Sequence, residues 1–360
     1  MTNSSHNAKG ILYITPPRML DSAVSVNITR RTLVIRKLGY TVIEVIPTPS
    51  SFIRTCLRIW KMRKSFKRVI IRLDGACVLD KYTLLKCILP QHTFIWEIHG
   101  YPEERLELDQ TFRTKLGVLK NNLRRRILSC LVAATIFISE ELLLYARTKM
   151  FVHNPFVIQN FILSSRKTRV ATIPAPLHHI LQNTFIVLWG GDPSLPWNAI
   201  DTIQRVAARI SADDKTILFI LVGSHHFYPA IQRENILYLD AMPHTAFTLL
   251  IKKADVCLAL YHKLNHVPFY LHSMKLLDYL AHGKPVIATN IGSAHKLIRS
   301  GITGFLTNNA EKDIANKILL LKRDAALARK LGQNGLRVVS ALHNESFARM
   351  AYNTALGSIE

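Results

Sequence analysis

Lys275 and Asp278 lie three residues apart in the stretch 273–289, SMKLLDYLAHGKPVIAT. Leu276, Leu277, Leu280 and Ala281 recur at helical spacing, Ser273 can cap the amides at the helix start, and Gly283 falls where a helix end favours a left-handed residue. Pro285 then opens a strand, PVIAT. On such a helix Lys275 and Asp278 share the face away from the leucines, near the end whose amides and dipole attract anions. A diphosphate could sit there, its charge neutralised by the ammonium, while the carboxylate accepts hydrogen bonds from ribose hydroxyls. The same two residues could equally form a surface ion pair worth about 0.2 to 0.5 kcal/mol.

A second candidate is His99, in IWEIHGYPEE (95–104), just past the carboxyl end of a strand pattern. It could hydrogen-bond a sugar or orient a hydroxyl, with Glu97 as a nearby carboxylate. It could also simply cap a turn, since the chain has 15 histidines. Glu103 and Glu104 read as surface acids.

Elements that would position these residues alternate along the chain as in a parallel α/β sheet. ILYIT (11–15), TVIEVI (41–46), VIIRL (69–73), TFIWEI (93–98) and ATIFIS (134–139) form one set of strands. FIVLWGG (185–191), ILFILVG (217–223), ILYL (236–239), DVCLAL (255–260) and PVIAT (285–289) form a second, after a less regular stretch at 163–182. Two Rossmann-like units are implied, with ligands expected beyond the carboxyl strand ends, where glycine lets backbone approach phosphate. Gly190, Gly191 and Gly223 stand at such ends.

The 360 residues suit two domains, and 49% hydrophobic content supplies their cores. Five cysteines, an odd number with no C-x-x-C pair, argue against a disulfide or zinc framework and read as mostly buried thiols. The first residues, MTNSSHNAKG, are polar and no apolar run reaches the ~20 residues of a membrane span, so a cytoplasmic protein is expected. Net charge is +23, and residues 1–183 hold 28 basic residues against 11 acidic. The excess concentrates in RTCLRIWKMRKSFKR (54–68) and RTKLGVLKNNLRRR (113–126), which contain no acid and interleave Leu57, Ile59, Trp60, Met62 and Phe66, or Leu116, Val118, Leu119 and Leu123. Amphipathic helices with basic faces follow, suited to an anionic membrane surface at about 1 kcal/mol per well-placed basic residue. Solvated helix faces or nucleic acid would draw on the same charge, but no helix-turn-helix, zinc finger or RNA-stacking motif accompanies it.

Residues 273–289, followed by NIGSAHKLIRSGITGFLTNNAEKDIANKILLL, resemble the nucleotide-binding half of GT-B glycosyltransferases, especially glycosyltransferase family 4. Members read much like S-P-x-K-L-x-E-Y-M-A-x-G-K-P-V-V-A-T, then a glycine-containing turn, then D-G-x-T-G-x-L. The resemblance implies two Rossmann-like parallel α/β domains facing across a cleft: an acceptor domain over 1–180, a nucleotide-sugar donor domain over 181–340, and a helix over 341–360 returning to the first domain. It implies a nucleotide-binding set of Gly190, Gly191, Gly223, Ser273, Met274, Lys275, Leu276 and Asp278. His99 resembles the family's strand-end histidine and joins Lys275 as a catalytic candidate. Amides around Met274 and Leu276 would help Lys275 stabilise the leaving diphosphate.

Departures from the pattern accompany it. Asp278 stands where many members have the second of two glutamates, and Tyr270 where they have the first. GGDPSLPWNAID lacks the usual arginine and lysine, and PPRMLDSAVSVN lacks the glycine pair after the opening strand.

The expected activity is transfer of a sugar from a nucleotide-diphosphate sugar, as substrate and without further cofactor, to a glycan or lipid-linked acceptor hydroxyl. Retention of configuration, cell-surface glycan assembly and a peripheral position on the inner membrane face are expected with it. No D-x-D triplet is present, so no metal is expected. H-E-x-x-H, G-x-S-x-G and G-x-x-x-x-G-K-[ST] are absent too, and His178/His179 and His225/His226 are adjacent rather than helically spaced. A nucleotide-sugar 2-epimerase on the same fold, and a non-catalytic binding or membrane-docking protein, remain as alternatives.

Overall fold

The computed structural model describes residues 9–16, 23–46, 52–72, 85–163, 184–223, 233–265 and 271–359. Tyr270, Cys77 and the histidine pairs at 178–179 and 225–226 lie outside them. The chain divides into two compact units, one holding the described residues of 1–20, 24–159 and 346–360 and the other those of 21–23 and 160–345.

The first unit holds a six-stranded sheet in the order β2-β1-β3-β4-β5-β6. Its strands are β1 (Gly10–Ile14), β2 (Thr41–Val45), β3 (Arg68–Ile71), β4 (Thr93–Ile98), β5 (Ala134–Phe137) and β6 (Pro155–Val157), all parallel. Helices α1 (Ala23–Lys37), α2 (Phe52–Lys61), α3 (Phe112–Leu131), α4 (Glu140–Lys149) and the last helix of the chain, Glu345–Gly357, complete it. Runs such as GILYI are buried at every position, as central strands covered on both faces require.

The second unit has the order β12-β11-β10-β7-β8-β9, again parallel. Its strands are β7 (Phe185–Gly190), β8 (Ile217–Val222), β9 (Ile236–Leu239), β10 (Val256–Ala259), β11 (Val286–Thr289) and β12 (Phe305–Thr307). Between and after them run α5 (Ile200–Asp213), α6 (His244–Lys253), α7 (Met274–Ala281), α8 (Ala294–Leu297), α9 (Glu311–Arg323) and α10 (Ala325–Leu342), so the terminal helix is α11. One apolar cluster, with Trp189, Ile203 and Ile318, fills one face of this sheet, and another, with Leu188, Tyr279 and Leu280, fills the other.

Strand order reverses between β1 and β3 in the first sheet and between β7 and β10 in the second. Open parallel sheets bind ligands at the carboxyl ends beside such switch points.

Two short edge strands, β6 and β12, are absent from the expected strand sets, because three residues carry too little pattern to register. The stretch 54–68 is not one helix: α2 ends at Lys61, a 3₁₀ turn spans Arg63–Ser65, and Phe66 turns into the core. Cys56 and Cys257 are buried as expected, but Cys87 and Cys130 are exposed.

Candidate functional site

Ser273 caps α7, its hydroxyl accepting from the Leu276 amide at 3.2 Å. The Tyr261 hydroxyl, from the residue just beyond β10's end, holds the Ser273 oxygen at 2.7 Å. Tyr261 is fixed in turn: its amide donates to Thr289 Oγ1, and its carbonyl accepts from Asn309 Nδ2. Gly283 ends the helix with φ of 65°, the left-handed value that favours glycine. Leu276, expected to offer its amide to a diphosphate, instead commits that N–H to the cap.

Lys275 and Asp278 do not pair with each other. The Lys275 ammonium lies 4.4 Å from the centre of the Trp189 ring and 4.9 Å from that of Tyr261, and donates to Asn198 Oδ1 at 3.1 Å. Lys275 keeps some surface in solvent, yet these rings desolvate its ammonium and pull its pKa down to about 7, against a weaker opposing pull from Asp192. A Cβ on Gly191 would come within 2.8 Å of the Lys275 nitrogen, so the absent side chain makes room for that cation. Gly190 serves packing instead: a Cβ there would come within 2.2 Å of the Phe247 ring. Gly223 closes β8, its amide donating to the Leu239 carbonyl at 2.9 Å.

The loop GGDPSLPWNAID supplies no cation of its own. It supplies Asn198, held by its own side-chain bond to the Asp192 carbonyl, and Asn198 receives Lys275. Asp278 is 6% exposed, and His244 at the start of α6 donates from Nε2 to its Oδ2 at 2.9 Å. His244 escaped the sequence reading because nothing local marks it; only the packing of α6 beside α7 brings it to Asp278.

In the first unit the β4 end carries a closed network. Glu97 is fully buried; Arg31 from α1 lies 3.2 Å from its Oε1, and the Tyr13 and Tyr352 hydroxyls reach Oε2 at 2.7 and 3.3 Å. Burial alone would raise the Glu97 pKa, but the Arg31 guanidinium, then the His99 hydrogen bond and charge and Arg72, hold it well below the carboxylate range. His99 meets Glu97 Oε1 through Nε2 at 2.5 Å and Arg72 Nη2 through Nδ1 at 3.2 Å. A guanidinium only donates, so Nδ1 accepts and Nε2 carries the proton that goes to Glu97. Burial, then Arg72, lowers the His99 pKa to about 4, which keeps the ring neutral near pH 7. Both ring nitrogens are thus engaged within the protein. Glu103 is no surface acid: it is 5% exposed, pairs with Lys149 and accepts from Asn122. Glu104 instead accepts from the Tyr101 amide.

Residues 184–324 match the family model described as glycosyl transferases group 1. The second unit carries a group 1 glycosyltransferase domain. Over the whole chain the fold is GT-B, matching sucrose-phosphate synthase from Thermosynechococcus elongatus at a TM-score of 0.73 and 14% identity, over 97% of this chain and 98% of that one. Anabaena HepE in complex with UDP-glucose matches at 0.68 and 14%, over 97% and 99%. Staphylococcus aureus TarM matches at 0.61 and 16%, over 84% of this chain and 58% of that one. No curated protein matches the chain by sequence. With that domain on that fold, the chain is a glycosyltransferase.

The exposed face of α3 differs from an ordinary solvated helix. Phe112, Leu116, Leu119, Leu123 and Ile127 are all more than half exposed and follow one another by three or four residues, forming one apolar stripe. Arg113, Lys115, Lys120 and Arg126 are exposed beside it. On α2, Ile53, Leu57 and Trp60 are exposed among Arg54, Arg58 and Lys61, while Ile59 is buried. No described helix is long and apolar enough to cross a membrane.

Proposed function

We propose that this glycosyltransferase is a retaining enzyme of the family 4 type, moving a sugar from a nucleotide-diphosphate donor to a hydroxyl of a lipid-linked or glycan acceptor during cell-surface glycan assembly. The observation that carries the reading is the α7 start, where Ser273 fixes the helix, Lys275 reaches past Gly191, and Asp278 is aimed by His244. Solved structures of HepE hold UDP or UDP-glucose, which makes a uridine donor the first to test.

In this reading Asp278 accepts hydrogen bonds from the ribose, and Lys275 faces the diphosphate from its aromatic slot. As the bond from the anomeric carbon to the diphosphate oxygen breaks, negative charge grows on the leaving group and Lys275 stabilises it without a metal. The acceptor oxygen bonds to the anomeric carbon on the same face, and its proton passes to the departing phosphate. His99, with both nitrogens held, orients groups near the acceptor rather than taking that proton. The apolar stripe of α3 and the exposed face of α2, both flanked by cations, dock on an anionic bilayer at the cytoplasmic face.

Calorimetric titration with UDP, GDP and their sugar conjugates tests the donor site. UDP binding in the micromolar range that Asp278→Ala weakens at least tenfold is expected; a folded protein that binds no nucleotide refutes the reading. Donor consumed and isomerised without acceptor would mark a 2-epimerase instead. Cosedimentation with anionic vesicles but not neutral ones, lost in Leu119→Glu/Leu123→Glu, checks the membrane face.

A further inference from the structure

Parallel register sets Thr15, Arg72 and Glu97 side by side at the carboxyl edge of the first sheet, because Ile14 pairs with Ile71 and Ile71 with Trp96. Thr15 and Arg72 flank the β1/β3 switch point, and His99 extends the row by one more step along β4.

Among the described residues the charges here do not balance. Arg31 and Arg72 bring two guanidinium groups against one carboxylate, Glu97, which lies within ion-pair distance of Arg31 and His99. Arg72 is 3% exposed and, among the described residues, bonds only neutral acceptors, Asn27 Oδ1 at 2.8 Å and His99 Nδ1 at 3.2 Å. Its Nε has no hydrogen-bond partner among the described residues, and neither has the fully buried Thr15 hydroxyl beside it. Burying a cation whose direct hydrogen-bond partners are neutral is costly, and leaving its donors unpaired adds to that cost. Arg125 is also buried with no hydrogen-bond partner among the described residues, but its guanidinium lies over the Trp96 and Tyr101 rings. Among the described residues no aromatic ring lies over Arg72; its remaining donors and the Thr15 hydroxyl make a set suited to phosphate oxygens.

We infer that Arg72 and Thr15, with His99 holding Arg72 in place, form a subsite for a phosphate group carried by the acceptor. The inference rests on the proposed sugar transfer for the word acceptor, but the phosphate site stands on the geometry of the first unit alone. Arg72 supplies the Nε–H and its remaining Nη protons, and Thr15 supplies its O–H. The neutral His99 is what frees the guanidinium for this role, since a protonated ring could not accept from it.

The test uses the full chain with UDP at saturation, so that phosphate probes cannot enter the donor site. Butyl phosphate, glucose 6-phosphate and butyrate are titrated calorimetrically. Both phosphates are expected to bind and butyrate to bind at least tenfold more weakly. Arg72→Gln should lower phosphate affinity at least tenfold and Thr15→Val about threefold, with UDP affinity unchanged and both variants folded. Tighter binding of butyl phosphate would assign a lipid phosphate, and tighter binding of glucose 6-phosphate a phosphorylated glycan. Absence of binding by either phosphate to the wild-type protein, or equal binding by wild type and both variants, overturns the subsite. Should Arg72→Gln unfold, Thr15→Val and Arg72→Lys decide. Phosphate binding that survives while UDP fails to bind would remove the donor reading and leave this subsite standing.

Discussion

Arg72 and Lys275 answer one physical problem in different ways. Each is a crowded cation at its own sheet's switch point, and each bonds neutral acceptors: Asn27 and His99 for Arg72, Asn198 and two aromatic faces for Lys275. A guanidinium keeps its charge at any physiological pH, so its need for an anion is permanent. An ammonium can shed its proton, and Lys275 is brought to about 7 by desolvation. The first edge is a fixed positive site; the second can change charge, which suits the role proposed for Lys275, to hold and release a diphosphate.

The sharpest way to break the comparison is Glu97→Ala, which leaves Arg31 buried without its carboxylate and strips the network under His99 and Arg72. A loss of about 3 to 5 kcal/mol is expected from urea denaturation. Asp278→Ala, whose partner His244 is partly exposed, should cost far less stability by the same measurement. Next in size is Lys275→Ala: turnover of the donor should fall about 10² to 10³-fold, the range for removing one donor that stabilises developing charge.

The pH dependence sharpens the contrast. An anion binds the protonated ammonium, so below pH 7 Lys275 is ready, while above it the proton must be taken up on binding. UDP affinity should therefore fall as pH rises from 7 to 9, by at most about tenfold per unit. Lys275→Arg should flatten that profile. Isothermal titration in buffers of different ionisation enthalpy would register the proton uptake directly. The smallest effect expected is His244→Ala, which loses one hydrogen bond to Asp278 and should weaken UDP binding about threefold to tenfold.

Much of the second unit's site is legible in residues 273–289, because capping, helical spacing and the left-handed glycine are local rules. Ser273 and Gly283 therefore stand where the pattern puts them. Lys275 is equally visible, but its partners are not: Trp189, Asn198 and Tyr261 come from segments 14 to 86 residues away, and nothing local says that Gly191 makes room for the ammonium. His99 is visible as a strand-end histidine, while its neutrality follows from burial and then from Arg72, 27 residues earlier. Glu103 reads as a surface acid because the sequence does not show that α3 and α4 cover it.

Sequence alone determined the alternation of strands and helices, the excess of positive charge in the first half, and the capped helix start at Ser273, since each depends on neighbours within a few residues. Tertiary structure decided which charges are neutralised. Parallel register placed Thr15 beside Arg72 and Arg72 beside Glu97, α11 brought Tyr352 to Arg31, and α6 brought His244 to Asp278. Charge balance at a strand end depends on side chains gathered from distant segments within a few ångströms, where desolvation magnifies every unpaired group, and that gathering is a property of the packed sheet.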